Sequence, residues 1–224
     1  MMKHLSRIAT VILLAAFWIL AVPAWSGQTD QTMSNAEARD ETVRSFLRSM
    51  RGRWHDMNVG SGDGQFLHDL VLKHGYARAL EIGTSTGHSG IWIAWALSQT
   101  GGKLITIEID EDRWLQAKEN FKKAGLAEFV DARLADAHDL VPRLTGPFDF
   151  VFCDADKDWY PDYFKAVWPK LVVGGCYTAH NVTGGWMPGI REFLDDARSL
   201  PDAETTIDRT SGSGISMTFK RPAK

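Results

Sequence analysis

The chain predicts an α/β fold, a mostly parallel sheet wound with helices on both faces and finished by an antiparallel hairpin. Three observations carry this. From residue 77 onward, short apolar runs alternate with helix-length segments, the mark of repeated strand–helix units. Within that region, Ala79-Leu80-Glu81-Ile82-Gly83-Thr84-Ser85-Thr86-Gly87-His88-Ser89-Gly90 leads from an apolar run through glycines into Ile91-Trp92-Ile93-Ala94. That order fits a buried strand, a tight turn and a helix start. Finally, the runs 204–208 and 214–220 are joined by Arg209-Thr210-Ser211-Gly212-Ser213, too short for a helix, so they pair as a hairpin at the sheet edge.

The N-terminus is set apart. Lys3 and Arg7 precede an unbroken apolar or small stretch from Ile8 to Val22, and Ala24-Trp25-Ser26 has the small-x-small form of a cleavage site. Residues 1–26 therefore read as a signal peptide, or as a retained membrane anchor. The run of 15 falls short of the roughly 20 residues of a spanning helix. Either outcome places residues 27–224 outside the cytoplasm, exported or anchored facing outward, with the membrane met only through this segment.

Residues 27–224 suit a single domain. A polar linker is expected over 27–33, then a capping box at Ser34-Asn35-Ala36-Glu37 opening an amphipathic helix over 35–50 with Val43, Phe46, Leu47 and Met50 on one face. Arg51 to Gly64 reads as loop. Phe66, Leu67, Leu70 and Val71 mark a second helix ended near Gly75, and segment 34–74 together forms a helical lid. The alternation follows: strand 77–82, helix 89–99, strand 103–108, helix 111–124, strand 129–134 and a short helix near 137–144. Then come strand 148–153, helix 160–170, strand 175–179 and helix 189–200.

The formal charge is −3, and −5 once Lys3 and Arg7 leave with the leader. No basic run exists, which argues against nucleic acid as a partner. A homodimer is compatible with this reading. Cys153 and Cys176 both fall in predicted strands. If those strands are parallel neighbours meeting at Asp154 and His180, Cys153 is level with Ala179, and Cys176 is roughly 10 Å away at about 3.3 Å per residue. A disulfide needs Cα atoms within about 7 Å, so two free buried thiols are expected.

In open wound sheets, ligands bind beyond the carboxyl ends of the strands. There this chain places Glu81, Glu108, Asp136, Asp154 and His180-Asn181. Glycines at the first turn let a ligand approach the backbone, and free N–H groups at the helix start face it. The spacing is not the G-x-G-x-x-G of dinucleotide sites. Glu108, 25 residues beyond Gly83, is placed to accept ribose hydroxyls. Asp136 either meets an adenine amino group or caps the helix after it. Asp154, with His180 and Asn181 at the next strand end, is able to share a cation. Oxygen ligands suit magnesium, and the imidazole shifts preference toward manganese, iron or zinc.

Trp54-His55-Asp56-Met57-Asn58-Val59-Gly60, with Gly64-Gln65, resembles the entry segment of catechol O-methyltransferases. Glu81-Ile82-Gly83…Gly87-His88-Ser89 resembles that family's S-adenosylmethionine loop, and Asp154-Ala155-Asp156-Lys157-Asp158 is similar to a loop of the caffeoyl-CoA O-methyltransferases. The resemblance spans about Trp54 to Asn181. It implies a Rossmann-like, seven-stranded class I methyltransferase sheet using S-adenosyl-L-methionine on a small aromatic, catechol-like hydroxyl. By position it assigns Val59, Glu81 and Ser89 to the methionine part of the cofactor, Glu108 to the ribose, and Asp136 with Ala137 to the adenine, with Gly83 and Asp154 also in the cofactor site. It makes Asp154, at the corresponding metal position, part of the catalytic machinery, Asn181 a metal ligand, and Lys157 the general base. One departure is visible: His180 stands where the family has Asp, which removes a negative charge from a divalent-metal site. Trp54, Trp159 and Trp186 are candidate walls for an aromatic acceptor.

Two other readings compete. Gly83-Thr84-Ser85-Thr86-Gly87 matches G-x-S-x-G, and Ser85, Asp154 and His180 follow the order of an ester-hydrolase triad. That elbow would, however, follow the sheet's first strand and leave no earlier loop for an oxyanion hole. A non-catalytic cofactor-binding relative is the other.

Overall fold

The computed structural model describes residues 26–184 and 187–223, with side chains from residue 35 onward. The apolar leader and Trp186 lie outside the described residues. Among the described residues, no helix is long and apolar enough to cross a membrane.

In chain order the elements are α1 (Ser26–Ser49), α2 (Ser61–His74), β1 (Arg78–Ile82), α3 (His88–Thr100), β2 (Lys103–Glu108), α4 (Glu111–Lys123), β3 (Val130–Leu134) and α5 (Ala137–Leu140). They continue with β4 (Phe148–Cys153), α6 (Tyr160–Val167), β5 (Leu171–His180), α7 (Pro188–Ser199), β6 (Ala203–Asp208) and β7 (Ile215–Lys220). The seven strands form one sheet in the order β3-β2-β1-β4-β5-β7-β6. Pairing is parallel from β3 across to β5, and β7 lies antiparallel between β5 and β6. Six strands thus point one way. The expected hairpin is present, with β6 outermost.

Strand parity builds two cores. Ala79, Leu104, Phe150, Phe152 and Cys176 face the layer of α1 to α4, while Leu80, Ile82, Ile107, Val151, Cys153 and Tyr177 face that of α6 and α7. A strand covered on both faces must be apolar on both, which is why the sequence shows runs here rather than alternation. Cys153 pairs with Ala179 and Cys176 with Phe150, as the register argument expects. Both thiols are free and buried, and burial pushes Cys153 up to about 12.

Several boundaries differ from expectation. The predicted linker 27–33 is helical, and the Ser34–Glu37 capping box lies inside α1 rather than at its start. No proline interrupts 27–49, and a helix nucleated by the packed Val43 region extends at one hydrogen bond per residue. The start of α2 is Ser61, so Gly62 and Gly64 are helical rather than loop. Gly64 is required there: a Cβ would lie 2.2 Å from Trp92 Cδ1 of α3. The strand β5 starts at Leu171, four residues before the predicted start. Gly174, at φ 86°, lies within the strand, near a register shift opposite Phe148 and Phe150. Helices 137–144 and 160–170 each end in a single 3-10 turn, at 141–143 and 168–170, which Pro142 and Pro169 open.

Gly64→Ala is expected to cost about 1–3 kcal/mol, the usual range for overpacking a filled contact. Trp92 has little room to yield, because its Nε1 donates to His88 Nε2. A urea melt of variant and parent checks this.

Candidate active site

A cavity of about 750 Å³ opens at the carboxyl ends of β1 to β5, within the usual size of a small-molecule site. Of the predicted residues, Gly83, Ser89, Glu108, Asp136, Ala137, Asp154, Lys157, His180 and Asn181 all line it. Glu81 and Val59 do not. The Val59 side chain is buried in the core, whereas its neighbours Asn58 and Gly60 face the cavity. Of segment 34–74, only Met57, Asn58 and Gly60 reach the lining.

The first turn explains why these groups meet. Gly83 adopts φ 95°, and a Cβ there would sit 2.6 Å from the Asp154 carbonyl oxygen. Only glycine permits this approach of the β1 and β4 ends. Ser85 also takes a left-handed φ of 47°, and its N–H donates to Glu108 Oε2 at 2.7 Å. The N–H groups of Ile109 and Asp110 donate to Glu108 Oε1, each at 3.0 Å. Three donors hold this carboxylate at the cavity and still leave it room to accept a ligand hydroxyl. Asp136 does cap α5, accepting from the His138 N–H at 2.9 Å, while it also lines the cavity.

Glu81 stands behind this surface, fully buried. Thr106 donates to its Oε2 at 2.6 Å. Its Oε1 finds no complete hydrogen bond, although the nearby Ser89 hydroxyl favours the charged form. Burial dominates and pushes its carboxyl up to about 7.

The loop over the cavity mouth is tied down by several side chains. Arg113 makes a bidentate pair with Asp56 at 2.6 and 2.9 Å. Asn58 Nδ2 donates to Thr86 Oγ1 at 2.7 Å. His88 Nδ1 lies 2.8 Å from the Val59 carbonyl. Since Nε2 accepts from Trp92, Nδ1 carries the proton, and burial lowers the pKa of this ring. Asp56 and Met57 hold left-handed φ angles of 66° and 54°, a strain usual beside binding sites.

On the β4–β5 side, Lys157 Nζ donates to Asp154 Oδ1 at 2.6 Å and to the Ala155 carbonyl at 3.0 Å. His180 Nδ1 lies 3.1 Å from Asp154 Oδ2, and its Nε2 lies 3.0 Å from Asp63 Oδ2 in α2. Burial pulls the His180 pKa down, but the two carboxylates outweigh it and the net shift is upward. Tyr160 buttresses the strand ends by donating to the carbonyls of Cys153 and His180, each at 3.1 Å.

This arrangement bears on the expected metal ligands. Both His180 nitrogens face carboxylates, and one Asp154 oxygen faces the Lys157 ammonium, so the donors are already engaged. Among the described residues, no group of three or more His, Cys, Asp or Glu side chains is arranged to hold an ion. As they stand, Asp154, His180 and Asn181 do not fit a divalent metal.

Other expectations need correction. Ser85 Oγ donates to the Asp56 carbonyl and not to His180, so the hydrolase triad is not assembled. Trp54 is no cavity wall: it stacks on His88 with centroids 4.3 Å apart, behind the lining. Trp159 stacks on His138 at 3.9 Å, and His138, not Trp159, faces the cavity. Sequence reasoning missed Asp63, Arg113 and His138. The position of His138 two residues after Asp136 was the only local signal among them.

A parallel sheet with this strand order, a reversed seventh strand and a ligand cavity at its topological switch defines a class I methyltransferase fold. A family model described as O-methyltransferase matches residues 30–199. The catechol O-methyltransferase of Niastella koreensis is 40% identical over 169 residues, covering 69% of this chain and 74% of that protein. Caffeoyl-CoA O-methyltransferase 1 of Eucalyptus globulus is 34% identical over 127 residues, 54% of this chain, and the chain spans about half (51%) of that relative's length. Among solved structures, an O-methyltransferase from Bacillus cereus in complex with SAH has a TM-score of 0.72 at 30% identity, covering 86% of this chain and 97% of that one. The O-methyltransferase TomG from Streptomyces achromogenes, in complex with SAM, has a TM-score of 0.70 at 30% identity, covering 81% and 90%. The chain belongs to the O-methyltransferase family.

The buried Glu81 makes stability depend on pH. Between about pH 4.5 and 7 the folded state keeps a proton that the unfolded chain has released, so stability falls as pH rises through that window. In Glu81→Gln this slope disappears. The stability of the variant relative to the parent is expected to improve by about 2–3 kcal/mol from pH 5 to pH 8, read from urea melts at both pH values.

Proposed function

We propose that this chain transfers a methyl group from S-adenosylmethionine to the hydroxyl of a small, catechol-like aromatic. The observation that carries the reading is the convergence of Glu108, Asp154 and Lys157 on one cavity at the strand ends, in a chain whose relatives bear the names given above. The cavity fits such a donor: Glu108 suits ribose hydroxyls, the side-chain-free Gly83 allows close approach, and Asp136, Ala137 and His138 line the part open to a base. Ser89, with Glu81 behind it, adds acceptors for an ammonium group. When bound, the donor supplies an electrophilic methyl on a positively charged sulfur.

The protein's share is orientation and one proton. A phenolic hydroxyl has a pKa near 10, so an unassisted acceptor is mostly protonated at neutral pH. Lys157 is the base. In its unprotonated form the amine spends two N–H groups on Asp154 and the Ala155 carbonyl, which leaves its lone pair for the hydroxyl proton. With both reactants bound, the oxygen freed by Lys157 would take the methyl carbon that the donor supplies, and the donor would leave as a neutral thioether. Holding both reactants in line supplies much of the rate, and the tied loop over Asn58 and Gly60 serves that end.

Radiolabelled methyl transfer to a panel of catechols tests the proposal. Cofactor binding by calorimetry with no transfer to any of them would favour a non-catalytic relative. Lys157→Ala is expected to lower kcat by about 10²–10⁴, the usual worth of a general base, and to leave cofactor affinity within about twofold, since ribose and adenine are held elsewhere. Unchanged kcat would remove Lys157 from the proton transfer.

A further inference from the structure

We propose that Asp63, His180 and Asp154 fill the place of a divalent cation, so that this chain binds and methylates its acceptor without one. The inference rests on the function proposed above for this cavity and names how its acceptor end is built. Asp63 is its new member, a positioning residue that acts through the His180 ring.

Geometry carries the argument. A metal ligand must present a lone pair, and an imidazole has one to offer only when one nitrogen is unprotonated and open. His180 offers none, because Asp154 Oδ2 lies 3.1 Å from Nδ1 and Asp63 Oδ2 lies 3.0 Å from Nε2. Each ring nitrogen therefore faces a carboxylate oxygen of this chain rather than the cavity. The other Asp154 oxygen is taken by Lys157 Nζ at 2.6 Å. Of the three residues at the metal positions, only Asn181 is left with its donor group uncommitted to this chain of contacts.

The arrangement is also enclosed. Side-chain exposure is 8% for Asp63, 6% for His180 and 11% for Asp154. Carboxylates so buried persist only when paired, and the ring pairs both at once. Asp63 reaches it from α2, 117 residues away in sequence, and its height is fixed by Gly64 pressed on Trp92. Restoring the family's aspartate at position 180 without altering Asp63 would bring three carboxylates together.

The test uses the full chain saturated with S-adenosylhomocysteine and titrated with Mn²⁺, free ion being followed by electron paramagnetic resonance. The expected result is binding no tighter than about 1 mM, the range of weak oxygen sites; tighter binding would overturn the proposal whatever the activity. The double variant Asp63→Asn/His180→Asp is expected to bind Mn²⁺ at least about tenfold more tightly than the parent, as hard oxygen donors replace an occupied ring. No gain there would remove Asp63 and His180 from the role. In the transfer assay, EDTA is expected to change the parent's rate by less than about twofold. A loss restored by Mn²⁺ or Mg²⁺ would sink this inference and leave the methyltransferase reading intact. Absence of transfer under every condition would sink that reading, and the Mn²⁺ titration would still decide this one.

Discussion

The approach of two strand ends at Gly83 is the contact on which the cavity depends. With its φ of 95° and no Cβ, Gly83 lets the Asp154 carbonyl occupy the space a side chain would need. Asp154 N–H in turn donates to the Ile82 carbonyl at 2.9 Å, which extends the ladder to the last residue of β1. The turn that faces the donor and the loop that carries Asp154 and Lys157 are thereby fastened to each other. Sheet order does the rest: β1 sits between β2 and β4, so Glu108 arrives from one side and Asp154 from the other. A ligand placed at that switch touches residues far apart in sequence without any loop having to reach for it.

Around this contact the protein spends stability on buried charge. Glu81, Asp63, Glu108 and His180 are all buried, and each is treated differently. Glu108 takes three backbone donors, and Asp63 takes one side of a ring. Glu81 has one firm donor and an open oxygen, and burial raises its pKa to about 7 against the pull of its hydroxyl neighbours. Incomplete satisfaction at a fully buried carboxylate is costly, and it lies directly behind the Ser89 wall of the cavity.

How much of this was legible in the sequence follows from what kind of physics set each part. The strand β2 ran from Lys103 to Glu108 as read, and Gly75 ended α2 as read, because a doubly buried strand and a left-handed cap are local demands on residue type. Strand-end positions then gave Glu108, Asp136, Asp154, His180 and Asn181 of the cavity lining at once, since parallel pairing brings carboxyl ends level. What the sequence hid was set by tertiary contact. Gly62 and Gly64 looked like loop, yet α2 needs a glycine against Trp92. The strand expected from 175 begins at Leu171, so Gly174 is inside β5. Asp63 carried no signal at all: it is one acid in a glycine-rich stretch, and its meaning exists only where His180 meets it.

The proposed chemistry explains why so small a set of groups suffices. A positively charged sulfur and a phenolate oxygen lose their charges together as the methyl moves, so the transition state is less charged than the reactants. A site with low effective dielectric favours that change, and costs no reorganisation at the moment of transfer. Charge stabilisation is therefore needed before the step, when the hydroxyl gives up its proton, and less during it. A divalent ion is one way to ease that ionisation, and a base poised on a fixed carboxylate is another. Lys157 is held by Asp154 and the Ala155 carbonyl, Asp154 by His180, and His180 by Asp63. The line runs without a gap from the cavity into the first turn of α2, and the proton's route ends on a group that the fold itself keeps in place.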